Sequence, residues 1–111
     1  MNLEFNVRNN KLIVYMRGEL DHHSAEEVRN KIDDRLDREG LNKLIMDFSG
    51  VSFMDSSGIG VVIGRYKKLN SADGSVCIVG AINSVKRVFE LSGMFKIIGL
   101  YDSVAEAVQN I

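Results

Sequence analysis

Phe53-Met54-Asp55-Ser56-Ser57-Gly58-Ile59-Gly60 joins the end of an apolar run to the start of a helical one and places two adjacent hydroxyls at the junction. A serine at a strand-to-helix corner is displayed, because the strand fixes its position and Asp55 or a serine can cap the free N–H groups of the next turn. Beyond the corner, Ile59, Val62, Ile63, Tyr66 and Leu69 recur at helical spacing and predict one apolar face packed on a sheet. Gly60 and Gly64 fall opposite that stripe, beside Ser57, Val61 and Lys68. An interior glycine costs a helix about 0.5–1 kcal/mol relative to alanine. Two on an outer face imply a partner surface approaching the backbone; the bland alternative is a loose first turn at Gly60 and an incidental Gly64.

On either side of this corner the pattern is strand, strand, then alternating helix and strand. Leu3, Phe5 and Val7 alternate with polar residues, Asn9-Asn10 suits a tight turn, and Leu12 to Met16 returns as a second strand, which together predict an antiparallel hairpin. Ser24 with Glu27 reads as a capping box, followed by the stripe Ala25, Val28, Ile32 and Leu36 and a stop at Gly40. Leu44 to Phe48 and Val76 to Val79 are nearly continuous apolar runs, as expected of central strands covered on both faces. Val85, Val88 and Phe89 mark a shorter helix ending at Gly93. Ser103 with Glu106 is a second capping box, before a final helix carrying Val104, Ala107, Val108 and Ile111. The expected fold class is α/β, one domain over residues 1–111: a mixed β-sheet with an N-terminal antiparallel hairpin followed by alternating helices and strands.

The chain of 111 residues, 45% hydrophobic, suits one core and leaves no room for a second domain. Fourteen Lys and Arg against fifteen Asp and Glu give a formal net charge of -1. No broad field therefore draws the chain to nucleic acid or anionic lipid. Cys77 is the single cysteine, so no internal disulfide forms, and its apolar setting predicts a buried, unreactive thiol. Neither a signal peptide nor an apolar span of membrane length is present. The expectation is a soluble, cytoplasmic protein with no direct nucleic-acid or membrane partner.

Besides capping, Ser56 and Ser57 admit three chemical readings. A nucleophile needs a base and an oxyanion hole; the available histidines are His22 and His23, and the Gly-x-Ser-x-Gly elbow is absent. A carrier serine accepting a prosthetic arm belongs to an acidic helical bundle, which this composition does not match. Reversible phosphorylation would add about −1.5 to −2 charges at an exposed helix start, whose dipole and free N–H groups tolerate an anion. His22-His23 lacks the further spaced ligands of a four-ligand metal site. Gly58-Ile59-Gly60 lacks the full phosphate-binding glycine patterns, and Lys86-Arg87 is a short charged helix face.

Asp55-Ser56-Ser57-Gly58-Ile59-Gly60 resembles the phosphoserine motif of STAS domains, the anti-sigma factor antagonists of bacteria. The resemblance extends over Gly18 to Ala25, over Ser52 to Lys67 with Gly64-Arg65-Tyr66-Lys67, and over Lys86 to Phe89 and Leu91 to Ile98, nearly the whole chain. It implies a partner-switching cycle. The unphosphorylated protein binds an anti-sigma factor that is also a serine kinase, a sporulation sigma factor is freed, and phosphorylation at Ser56 ends the binding. A metal-dependent serine phosphatase restores the serine. Ser57 is the reserve acceptor. The ATP and magnesium belong to the kinase; the chain itself has no cofactor, metal or catalytic residue in this reading. The implied docking surface comprises Asp21, Asp55, Ser57, Gly58, Gly60, Gly64 and Arg65, with Asp21 facing a basic partner group and Arg65 a partner carboxylate. A small serine-dependent enzyme using the Ser56/Ser57 corner is the alternative.

Overall fold

Asn9 and Asn10 both adopt positive φ, 52° and 61°. That is the backbone demanded by a two-residue hairpin turn whose twist matches its strands, and Asn tolerates it better than most residues. In the computed structural model, which describes residues 1–111, β1 (Asn2–Arg8) and β2 (Lys11–Leu20) accordingly run antiparallel, in register from Asn2 opposite Arg17 to Arg8 opposite Lys11. The chain then alternates through α1 (Ala25–Glu39), β3 (Lys43–Met54), α2 (Ser56–Asn70), β4 (Ser75–Val79), α3 (Asn83–Ser92), a 3-10 turn at Met94–Lys96, β5 (Gly99–Tyr101) and α4 (Val104–Asn110). The sheet order is β1-β2-β3-β4-β5, with β2 to β5 parallel.

The apolar runs of the central strands are explained by their two covered faces. Leu12, Val14, Leu44, Met46, Phe48 and Ile78 join the larger core with residues of α1, α2 and α3. Ile13, Ile45, Cys77 and Val79 form a smaller one with Ala107 and Val108 of α4. Burial pushes the Cys77 thiol up to about 12, which leaves it protonated and inert at neutral pH. Gly40 and Gly93 stop α1 and α3 in the left-handed conformation, and the Ser103 hydroxyl accepts from the Glu106 N–H to cap α4. No helix is long and apolar enough to cross a membrane.

Three features differ from the sequence pattern. Leu44 to Phe48 is only the first half of β3, which continues along β2 to Met54 through two register shifts. Gly18 makes this possible with φ 121°, and a Cβ at Gly50 would lie 2.6 Å from the Met16 carbonyl oxygen. The three-residue β5 and the 3-10 turn are too short to leave a periodic signal. On α2 the fully buried residues are Gly58, Val61, Val62, Arg65 and Leu69, while Ile59, Ile63 and Tyr66 are half-buried. Val61 is therefore inside, because α2 packs against α1 as well as the sheet.

Arg65 occupies that second contact. Its side chain is 7% exposed, and Nε lies 3.0 Å from Asp33 Oδ1 across the α1–α2 seam. The alignment is too oblique for a hydrogen bond, and Arg65 Nη1 is buried without a partner. Burial pushes the guanidinium pKa down, Asp33 pulls it up, and Arg29 pushes it down again; arginine nevertheless stays protonated. Lys68 Nζ is a second cation on Asp33, at 3.6 Å. The pair should be asymmetric under mutation. Asp33→Ala strands a buried cation and should cost about 3 kcal/mol. Arg65→Met leaves Asp33 with Lys68 and keeps most of the stem's packing, so its cost should be about half that. Urea unfolding of the two variants checks the order.

Candidate functional site

Parallel strands β2 and β3 finish level, with Leu20 opposite Met54. Each leads directly into a helix, so the two loops meet at the C-terminal edge of the sheet, where α/β proteins gather functional residues. Asp55 joins them. Its N–H donates to the Leu20 carbonyl at 3.3 Å. One carboxylate oxygen, Oδ1, accepts from the Ser57 N–H at 2.8 Å and caps α2. The other, Oδ2, accepts from the His22 N–H at 3.3 Å in the neighbouring loop.

Asp21 organises that loop. Its Oδ1 accepts from the N–H groups of His23 at 2.9 Å and Ser24 at 3.1 Å. Burial raises its pKa, but the hydrogen bonds from Ser24 and His23 and the positive charge available to His23 outweigh this and hold it below the usual carboxylate range. The capping box expected of Ser24 and Glu27 does not form. Ser24 turns back to donate to the Glu19 carbonyl at 2.8 Å and to accept from the Asp21 N–H at 3.0 Å, and Glu27 pairs with Lys31. The side chain of Asp21 serves the loop in place of Ser24.

Ser56, the first residue of α2, is exposed, and Ser57 is half-buried. Neither hydroxyl is hydrogen-bonded within the chain; the His22 contact to this corner runs through its backbone.

The remaining expected site residues divide by direction. Gly58 is buried, and a Cβ there would collide with the Met54 side chain and stand 3.2 Å from Leu20 Cδ2. It lets α2 sit close to the strand ends, and it does not belong to an exposed docking surface as expected. Arg65 is also a correction, since its guanidinium is committed to Asp33 inside the protein and does not face outward. At Gly60 and Gly64 an added Cβ would meet nothing within 4 Å. Gly60 opens onto a groove of about 390 Å³, with Ala25, Glu26 and Arg29 of α1 on one side and Ser57, Gly60 and Val61 of α2 on the other. His22 lines it as well. The corner thus unites Asp21, Asp55, Ser56, Ser57 and Gly60, with Gly64 a turn further along α2. The groove residues Glu26 and Arg29 left no signal in the sequence beyond being polar positions of α1.

Residues 2–107 match the family model described as STAS domain. An anti-sigma F factor antagonist of Paenibacillus polymyxa is 35% identical over 113 residues, covering 100% of this chain and 97% of that protein. The solved anti-sigma factor antagonist SpoIIAA in its unphosphorylated form superposes with a TM-score of 0.84 at 29% identity, over 97% of this chain and 94% of that one. The phosphorylated form of the Bacillus cell fate determinant SpoIIAA gives a TM-score of 0.75 at 29% identity, over 97% of both chains.

Because one carboxylate caps α2 and holds the adjacent loop, its removal should be felt in both places. Asp55→Ala should lose about 2 kcal/mol, the sum of a cap and one further hydrogen bond. Asp55→Asn, which keeps one acceptor oxygen, should lose about half of that. Chemical denaturation gives the magnitudes, and faster amide exchange at both His22 and Ser57 in Asp55→Ala would identify the two lost bonds.

Proposed function

The chain belongs to the STAS-domain family of anti-sigma factor antagonists, and from that premise we propose that phosphorylation of Ser56 switches its binding to an anti-sigma factor. In the unphosphorylated state it binds an anti-sigma factor that is also a serine kinase, which releases a sporulation sigma factor. The kinase brings the ATP and magnesium, transfers the phosphoryl group to Ser56 and so ends the interaction. A metal-dependent serine phosphatase resets the cycle in the cytoplasm. The chain is substrate and ligand and performs no catalysis.

The observation that carries this reading is an exposed hydroxyl with no internal partner, on the first residue of a helix whose cap is supplied by a different side chain. Adding a phosphoryl group to Ser56 breaks no hydrogen bond of the fold. It adds about −1.5 to −2 charges, which the N-terminal N–H groups of α2 accommodate while Asp55 opposes them. The disturbance therefore falls on whatever docks at the corner. Like charges brought together across an interface cost several kcal/mol, enough to release a partner without unfolding the domain. That relatives have been solved in both unphosphorylated and phosphorylated forms with this fold supports the same reading.

Incubation with the kinase and ATP should add one phosphate by intact mass, and peptide mapping should place it on Ser56 and not Ser57. Ser56→Ala should bind the kinase like the unmodified chain and resist phosphorylation. Ser56→Asp should bind at least about tenfold more weakly, aspartate carrying less charge than phosphate. Normal binding by Ser56→Asp together with normal binding by the phosphorylated chain would exclude the charge-gated mechanism.

A further inference from the structure

We propose that the groove between α1 and α2 receives a carboxylate-bearing side chain of the partner and that Arg29 pairs with it. This assignment rests on the function above and names the partner's chemistry at that site.

Among the basic residues of α1, Lys31, Arg35 and Arg38 each pair with a carboxylate one turn away on the same helix. Arg29 is exposed and makes no ion pair. The nearest internal solution is already taken. Asp33, one turn further along α1, is committed to Arg65 and Lys68 from α2. Glu26 lines the same groove but stands outside ion-pair distance. Arg29 also lies close enough to Arg65 to disfavour its charge, so a second carboxylate brought beside Arg29 would relieve a repulsion as well as form a pair. With Lys31, Arg35 and Arg38 paired along α1, Arg29 is the arginine in this groove whose electrostatics an incoming anion improves.

The groove's shape admits such a guest. Gly60 contributes no side chain to its α2 wall, and a Cβ there would meet nothing within 4 Å. An acidic side chain can therefore enter against the α2 backbone and reach Arg29 without displacing anything. Ser57 lines the same space, next to Ser56. A phosphoryl group at this corner then meets the guest's own charge and competes for Arg29, which gives the switch a specific pair to break.

The test is calorimetric titration of the unphosphorylated full chain with the kinase at two salt concentrations, using wild type, Arg29→Ala, Arg29→Lys and Glu26→Ala. Arg29 is exposed and alanine is a better helix former, so Arg29→Ala should fold, with thermal melting as the control. Arg29→Ala should bind roughly tenfold more weakly and with less salt dependence. Arg29→Lys should recover part of the loss, and Glu26→Ala should bind as well as wild type or better, because a like charge beside the guest is gone. Unchanged affinity in Arg29→Ala overturns the assignment alone, provided that wild type binds and is phosphorylated. Tighter binding by Arg29→Ala with weaker binding by Glu26→Ala also overturns it, in favour of a cationic guest. A wild-type chain that fails to bind the kinase overturns the proposed function and this assignment with it.

Discussion

The level ending of two parallel strands is the constraint from which the rest of the corner follows. Leu20 and Met54 face each other, so the residues after them, Asp21 and Asp55, begin the two adjacent loops. Asp55 turns that adjacency into a fixed geometry, with a backbone bond to β2 and a carboxylate divided between its own helix and the neighbouring loop. Because aspartate provides the cap, the serines of α2 are spared it. A serine cap would have its oxygen engaged with a backbone N–H, and its modification would then cost helix stability. Separating the residue that holds the corner from the residue that is displayed on it permits a covalent change at the surface without a change of fold.

The register itself depends on irregularities in β3. Each register shift adds one residue to β3, so the first changes which alternation faces the core, from Leu44, Met46 and Phe48 to Val51, and the second restores the original phase at Met54. Val51 and Met54 are buried, whereas Phe53 is 50% exposed. Together the two bulges advance β3 by two residues against β2, so that Met54 and not Ser52 stands opposite Leu20 and Asp55 arrives at the corner.

Much of this was legible in the sequence because the signals were local. Asn9-Asn10 names its turn, the apolar runs of β3 and β4 name central strands, and Gly40 and Gly93 mark helix ends. The corner was readable for the same reason, since Asp55 precedes the serines it supports. Local pattern misleads where a residue's environment is set by elements distant in sequence. The apolar stripe on α2 describes contact with the sheet alone, and a helix with two neighbours buries a wider sector than a single stripe describes. Val61 and Arg65 fell within that added sector. Asp33 lies 32 positions before Arg65 in the sequence, and nothing in either local pattern joins them. Ser24 and Glu27 had the spacing of a capping box, but the nearby Glu19 carbonyl and Asp21 carboxylate gave the Ser24 hydroxyl and N–H other partners. The glycines of α2 looked alike in sequence and differ in role: Gly58 permits internal packing, while Gly60 leaves space outside.

The two helices beside the groove are held together by charges that would be expensive to separate, and this bears on how a surface phosphate can act as a switch. A buried ion pair contributes little net stability over a well-packed apolar contact, because desolvation offsets the attraction. It does, however, penalise displacement strongly, since moving either helix uncovers an unpaired charge. Arg65 and Asp33 therefore resist sliding of α1 along α2, while Asp55 ties the helix entrances together at one end. A flexible pair of helices could shift to relieve a phosphate's repulsion and retain the partner. A pair pinned in this way resists that shift, so in the proposed switch the repulsion would be expressed as dissociation. In the proposed switch, the rigidity of the α1–α2 seam would convert a local change of charge into loss of binding.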